Sequence, residues 1–250
     1  MASLRTRVRA GLELLEWRQL AASVGRCSIC GTTVFVRLNR TEWGVRCARC
    51  GGAPNTLTLV DTIRRLVGDL GDKHVYVLSA AGPLFEYLQR TCRHLTFSLY
   101  SDAVAPGEYA AGVLSQDVQK LTFPDGSFDL CVHSEVFEHV PDDLAGLREL
   151  HRVLRSGGAT IFTVPVFHRD KTLERARIVN GRIEHLHPPE YHNDQLRGSV
   201  LAFRDYGRDV TTRLEFAGFH DVRLISDPGP AGLAYVREGF DRPVIVGYKR

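Results

Sequence analysis

No stretch of the 250 residues stays apolar for the roughly 20 positions a membrane-spanning helix needs, which excludes such a helix. The N-terminal segment also lacks the apolar core of a secretory signal, being punctuated by Arg5, Arg7 and Arg9. A cytoplasmic, reducing location is the resulting expectation, and structural disulfides are uncommon there. Neither charge sign dominates: 32 basic against 29 acidic side chains leave a formal net charge of +3. What is present is ordinary for a globular chain, with 44% hydrophobic and 24% charged residues. The length suits an α/β domain with a small module and can bury a sizeable core.

The small net charge hides an asymmetry. Residues 1–54 carry nine arginines against three acids, a balance of +6, whereas the remainder carries 23 basic and 26 acidic residues, a balance of −3. Four thiolates on one Zn²⁺ would lower the first figure by two, to about +4. Such a front end can meet nucleic acid or an acidic protein partner, or it can simply be a solvated face.

Four of the six cysteines stand as Cys27-x-x-Cys30 and Cys47-x-x-Cys50, with sixteen residues between the pairs. That spacing matches a structural zinc site, in which each short pair sits on a tight knuckle. Gly31 and Gly51 follow the pairs, where a knuckle needs permissive backbone. Disulfides or a redox pair are the alternatives; a reducing compartment argues against the first, and the second pair at ribbon spacing against the other. With all four ligands cysteine and no open position, such a zinc holds the fold rather than catalysing. Residues 32–38 and 42–46 are predicted as strands around Asn39-Arg40, which resembles a zinc ribbon. Cys92 and Cys131 lie in apolar contexts and are expected to be buried.

Along the chain, residues 3–22 are predicted as a helix with an imperfect apolar face of Leu12, Leu14, Leu15 and Leu20. The ribbon is expected over about 23–54, with a junction at Gly51-Gly52-Ala53-Pro54, and residues 56–70 form an amphipathic helix. Strand and helix signals then alternate: strands at 74–78, 95–99, 112–114, 128–132, 159–164, 220–226 and 244–248. The predicted helices run through Leu84 to Leu88, from Pro141 to a stop at Gly157-Gly158, and over 205–216. Such alternation predicts a doubly wound, mostly parallel α/β sheet with ligands at the carboxyl ends of its strands.

The stretch 117–129 (DVQKLTFPDGSFD), then Ser134-Glu135-Val136-Phe137-Glu138-His139-Val140, then residues 150–158 (LHRVLRSGG), resembles the central motifs of class I S-adenosylmethionine-dependent methyltransferases, in order and spacing. The resemblance covers about 57–250 and implies a seven-stranded Rossmann-like methyltransferase sheet. It also implies an S-adenosylmethionine pocket lined by Ser79, Ala81, Gly82, Leu99, Asp117, Val118 and His133. Asp117 is placed as the acceptor for the adenine amino group, Asp129 as a structural residue, and His139 beside the pocket, where a helix-packing role is the other reading. The chain departs from the family pattern at two acids. Val77 stands where the first strand normally ends in an acid, with Ser79 and Ala81 replacing the glycines of the turn, and Leu99 stands in place of the ribose-binding acid. Asp102 can substitute only if its loop turns back. Two lost charge-assisted hydrogen bonds, each about 1.5–3 kcal/mol, weaken binding by tens-fold or more unless other groups replace them.

Residues 175–194 (RARIVNGRIEHLHPPEYHND) gather His185, His187, Glu190, Tyr191 and His192 around Pro188-Pro189. The segment resembles one found in some bacterial small-molecule and glycan methyltransferases, which implies an insertion at about 166–205 covering the active-site mouth. A histidine there can take the acceptor's proton, with His192 first choice and His139 second. Three imidazoles from His185, His187 and His192 can also hold a metal, or the histidines can hold the loop's shape. The leading expectation is methyl transfer to an O or N nucleophile of a small molecule or glycan. An RNA or protein methyltransferase guided by Arg26, Arg37, Arg40, Arg46 and Arg49, with Phe35 and Trp43 for stacking, is the second. A non-catalytic scaffold with a degenerate cofactor loop is the third.

Overall fold

A computed structural model describes residues 14–194, 198–226, 233–237 and 239–250. The first three strands, β1 (Ala21–Val24), β2 (Val34–Arg37) and β3 (Val45–Cys47), form an antiparallel sheet. The predicted N-terminal helix is corrected here. Its first half lies outside the described residues, Trp17–Gln19 is a single 3-10 turn, and residues 21–24 are extended and paired with 34–37. Ala21–Val24 alternates between half-buried and exposed, which is the period of a strand and not of a helix.

Helix α1 (Pro54–Leu66) begins on Pro54, whose fixed φ suits the first turn. It buries Leu57, Leu59, Val60 and Ile63. There follow β4 (His74–Val77), α2 (Gly82–Thr91), β5 (His94–Leu99), the short β6 (Tyr109–Ala110), β7 (Val113–Ser115) and β8 (Phe128–Ser134). Next come α3 (Asp143–Val153) and β9 (Leu154–Thr163). Asp142 caps α3, its carboxylate accepting from the Ala145 N–H at 2.9 Å. The predicted stop of this helix at Gly157-Gly158 is also corrected: it ends at Val153, and both glycines lie inside β9, hydrogen-bonded to Lys249 at 2.9 Å.

A run of short strands then follows between residues 166 and 205. It comprises β10 (Val166–Phe167), β11 (Leu173–Glu174), β12 (Ala176–Val179), β13 (Arg182–His185), β14 (Tyr191–Asp194), β15 (Gly198–Leu201) and β16 (Arg204–Asp205). The chain closes with α4 (Val210–Phe216), β17 (His220–Ile225), β18 (Phe240–Asp241) and β19 (Val244–Tyr248). Helix α4 starts five residues later than predicted because 204–205 pairs with 173–174.

The main sheet has the order β17-β19-β9-β8-β4-β5-β7-β6. Neighbours from β9 to β7 are parallel, while β19 is antiparallel to both β9 and β17. This is the doubly wound, mostly parallel Rossmann-like sheet, with the two-residue β6 as an eighth strand on the edge. Asp129 ties three strands together at their N-terminal end, accepting from the His74 N–H at 2.7 Å and from Arg155 Nη1 at 2.9 Å. Two cores flank the sheet. On one face α3 and α4 bury Leu147, Leu150 and Leu214 against Tyr76, Phe162 and Ile245. On the other, Leu57, Ile63 and Leu88 meet Val77, Val132 and Val246, and the same cluster continues into Cys27, Ile29, Phe35 and Val45 of the three-stranded unit. Phe35, expected as a stacking residue, is therefore buried at 4% exposure.

Candidate functional site

At the carboxyl ends of β4, β5, β7 and β8 the chain places the residues predicted around a cofactor. After β4, the Ser79 hydroxyl donates to the Ala81 carbonyl at 3.1 Å, curling the loop before α2. Gly82 opens that helix at φ +87°, and a Cβ built there would find nothing within 4 Å. The space over the helix N-terminus is thus open, and Ala81 supplies no side-chain cap to its N–H groups. Leu99 ends β5 half-buried, and Asp102 is exposed on the turn beyond it. Asp117 follows β7, half-buried; its carboxylate accepts from the Gln119 N–H at 2.9 Å and from Gln119 Nε2 at 3.0 Å. Gln119 Oε1 in turn accepts the Asp142 N–H at 3.0 Å, so one side chain links this acid to the cap of α3. Gln119 was not singled out from the sequence, since a glutamine in a loop carries no signal until its partners are known. Val118 is buried beside it. These are groups an adenosine-bearing sulfonium cofactor can use: an open glycine turn, a helix N-terminus without a side-chain cap and an oriented carboxylate.

His133 lies deeper than expected. It is fully buried, stacked between Phe137 and Phe162 at 4.6 and 4.3 Å, and neither ring nitrogen has a hydrogen-bond partner. Burial alone pushes its pKa down to about 3, so it is a neutral core residue.

Beyond β8 the chain turns sharply: Glu135 takes φ +54° and residues 137–139 form a 3-10 turn. This turn is held from the insertion. Buried Arg204 donates to the carbonyls of Phe137, Val140 and Pro141 at 2.9, 2.5 and 2.7 Å. The Phe203 N–H reaches the Glu138 carbonyl at 2.8 Å. Asp143 completes the brace with Arg213 at 2.6 Å and the Tyr206 hydroxyl at 2.8 Å. Burial opposes ionisation of Asp143, but the hydrogen bond from Arg213 and the charge of Arg204 outweigh it and keep its pKa below the usual range.

The two candidate bases meet at this turn. The rings of His139 and His192 lie edge to face with centroids 4.9 Å apart. His139 Nδ1 is 2.8 Å from the Leu201 carbonyl, which can only accept, so Nδ1 carries the proton and Nε2 bears a lone pair. His192 comes from β14, where it pairs with Val200 across the hairpin. Its Nε2 is 3.5 Å from Glu190 Oε1, and Glu190 Oε2 binds Arg175 at 2.7 Å. His185 and His187 stay exposed on the outer hairpin and Tyr191 is 55% exposed, so the three-histidine cluster expected of His185, His187 and His192 does not assemble. Beneath the imidazole pair lies Glu138, 2% exposed, with its Oε1 3.8 Å from His139 Nε2. Its burial, with Glu135 alongside, holds the carboxyl well above the usual carboxylate range.

The four paired cysteines converge. Cys27 and Cys50 sulfurs are 3.7 Å apart, those of Cys30 and Cys47 3.5 Å, and all four lie within 4.8 Å of one another. A tetrahedron with Zn–S bonds of about 2.3 Å has edges of about 3.8 Å, so the cluster fits a zinc ribbon. Both knuckles close alike, with Gly31 and Gly51 at φ +74° and their N–H groups on the carbonyls of Cys27 and Cys47. Nearby, Arg37 donates to the carbonyls of Gln19 and Ala234, Arg40 to the Gln19 side chain and Arg46 to the Trp43 carbonyl. Trp43 is covered on one side by Arg242, 4.9 Å from its ring. Arg242 also joins Glu42 to Glu135, each at 2.7 Å, linking the ribbon to the turn after β8.

The family model described as a methyltransferase domain matches residues 76–162. A ubiquinone/menaquinone biosynthesis C-methyltransferase of Geobacter sp. (strain M21) is 32% identical over 129 residues, 47% of this chain and 52% of that one. A demethylmenaquinone methyltransferase of Staphylococcus aureus (strain JH9) is 32% identical over 133 residues, 50% of this chain and 53% of that one. The chain thus spans about half the length of the curated relatives it matches. Among solved structures, an S-adenosylmethionine-dependent methyltransferase fold from Listeria monocytogenes aligns at TM-score 0.50 and 13% identity over 77% of this chain and 98% of that one. The [4+2]-cyclase SpnF aligns at 0.51 and 14% over 78% and 81%. The sheet order, the motifs from Asp117 to Gly158 and these matches agree on the fold: residues 76–162 match a methyltransferase-domain family model, and the chain has the fold of class I S-adenosylmethionine-dependent methyltransferases.

Proposed function

We propose that the chain transfers a methyl group from S-adenosylmethionine to an oxygen or nitrogen of a small molecule or glycan. The observation that carries this reading is the meeting of His139 and His192 at the carboxyl end of β8, 4.9 Å apart and beside the predicted cofactor strands. When bound, the cofactor supplies a methyl group on a positively charged sulfur. The residues read as its holders are Ser79, Ala81 and Gly82 on the methionine side, Leu99 against the ribose, and Asp117 and Val118 at the adenine. With Nδ1 committed to Leu201, His139 stands edge to face with His192, and the pair can relieve an acceptor of its proton. Glu190 and Tyr191 on the same hairpin, with His185 and His187 further out, are assigned to the acceptor. The Geobacter relative is named a C-methyltransferase, but a hydroxyl or amine is the acceptor that gives two adjacent imidazoles something to deprotonate. The four-cysteine cluster is read as a structural zinc site, and the basic ribbon as the surface for any macromolecular partner.

Calorimetry with S-adenosylhomocysteine is the test. Binding at micromolar affinity supports the reading. No binding by protein that retains its zinc removes it and leaves the non-catalytic scaffold. Salt-sensitive RNA binding lost on substituting Arg26 and Arg49 would favour a macromolecular acceptor instead.

A further inference from the structure

Among the described residues, Glu138 is a buried carboxyl, 2% exposed, with no hydrogen bond to either oxygen. A buried carboxylate without partners is costly, and a proton does not resolve the matter, because the resulting O–H would be unpartnered too. Glu135 stands alongside with its Oε1 likewise buried without a partner, while Arg204 and Arg242, the latter bound to Glu135 Oε2 at 2.7 Å, bring positive charge to the same region without hydrogen-bonding Glu138. What the carboxylate does face is a pair of imidazoles. Ligand atoms of Glu138, His139 and His192 all lie within 4.8 Å of one another.

From this arrangement we infer that Glu138, His139 and His192 form a second metal site, for a divalent first-row cation, distinct from the cysteine cluster. The donor set is one carboxylate oxygen and two imidazole nitrogens, which suits cations such as Mn²⁺ or Fe²⁺ and leaves coordination positions open. The proton on His139 Nδ1, held by the Leu201 carbonyl, leaves Nε2 as the donor atom, the second-sphere arrangement that metal-binding histidines use. Arg204 fixes the turn that presents Glu138 and His139, so two of the three ligands are oriented in advance. Ligand bonds of about 2.1 Å place adjacent ligand atoms about 3 Å apart, against 3.8 Å between Glu138 Oε1 and His139 Nε2, so these two draw together by less than about 1 Å on binding. The inference rests on the methyl-transfer reading only for its use: an acceptor hydroxyl taken up as a further ligand becomes more acidic and loses its proton to solvent. The acceptor class is then one offering a hydroxyl oxygen to the cation, whose charge takes over the acidifying role given above to the two imidazoles.

The experiment is titration of the zinc-loaded full chain with Mn²⁺, following free Mn²⁺ by electron paramagnetic resonance. Mn²⁺ has little preference for thiolates, so the cysteine cluster stays silent. One Mn²⁺ per chain is expected, with affinity reduced at least 100-fold in Glu138→Gln and in His192→Ala, while zinc content and Tm stay near wild type. His192 lies on a half-exposed hairpin, so its variant keeps the fold even if Glu138→Gln does not. No Mn²⁺ bound by the wild-type chain, or equal binding by both variants, overturns the inference. S-adenosylhomocysteine binding on the same samples separates the two readings: a chain that binds it but no Mn²⁺ keeps the methyltransferase reading and loses this one.

Discussion

Two buried side chains show how far a single residue can decide stability here. His133 is neutral in the fold down to about pH 3 but takes a proton near pH 6.5 once unfolded. Between those values the unfolded state binds more protons, so stability falls as pH falls, by about 1.4 kcal/mol per unit at most. His151, lowered in the same direction by burial, adds to the trend. His133→Phe, which keeps the stack with Phe137 and Phe162, is expected to flatten the fall between pH 6 and pH 4.5 in urea melts. An unchanged slope would show that another group titrates. Arg204 is the second case. Arg204→Met takes a donor from three carbonyls, leaving those of Val140 and Pro141 bare, and leaves Asp143 with one fewer cation, an expected loss of about 3–5 kcal/mol. Breaking the exposed Arg177–Glu184 ion pair by Arg177→Ala should, by contrast, change stability by less than about 0.5 kcal/mol. Guanidinium midpoints of both variants measure the contrast.

At the scale of elements, the carboxyl ends of β4 and β5 carry the departures from the family pattern. The sheet needs only apolar, β-forming residues through Val77 and Leu99, and it accepts leucine where an acid would bind ribose. Leu99→Asp at the end of β5 restores one charge-assisted hydrogen bond and should tighten S-adenosylhomocysteine about tenfold, as read by calorimetry. No gain would favour the scaffold reading. Elements predicted from periodicity agree with the structure where one face or both are buried, as in Phe128–Ser134 and Pro54–Leu66. They fail where hydrogen bonding to a distant strand overrides local preference. Residues 21–24 pair with 34–37, and the Gly157-Gly158 stretch pairs with Lys249, so neither follows its own pattern.

For the whole molecule, the ribbon is part of the fold's interior rather than an appendage. Cys27, Ile29 and Phe35 share a core with Leu57, Val132 and Val246, Arg64 and Arg90 donate to the carbonyls of Ser28 and Ile29, and Glu42 is buried against Arg237 and Arg242. Removing the ribbon's metal should therefore destabilise the whole chain. Cys47→Ser is expected to lose about one zinc per chain and to lower a single calorimetric transition by about 10 °C. Two separate transitions, or an unchanged Tm with zinc gone, would show that the ribbon folds by itself.

The sequence alone was sufficient wherever the chemistry is local. Two Cys-x-x-Cys knuckles need only short spacing and a permissive glycine, and the alternating α/β pattern with its motifs from Asp117 to Gly158 needs only neighbours in the chain. Tertiary structure decided everything that depends on side chains meeting across the fold. His192 reaches His139 over 53 residues, and Arg242 reaches Glu42 over 200. Asp117 is oriented by a glutamine that only the turn brings round, and His133 leaves the pocket wall for the core. The reason is physical: periodicity records which side of an element is buried, whereas the partner that satisfies a buried charge is chosen by how the elements pack.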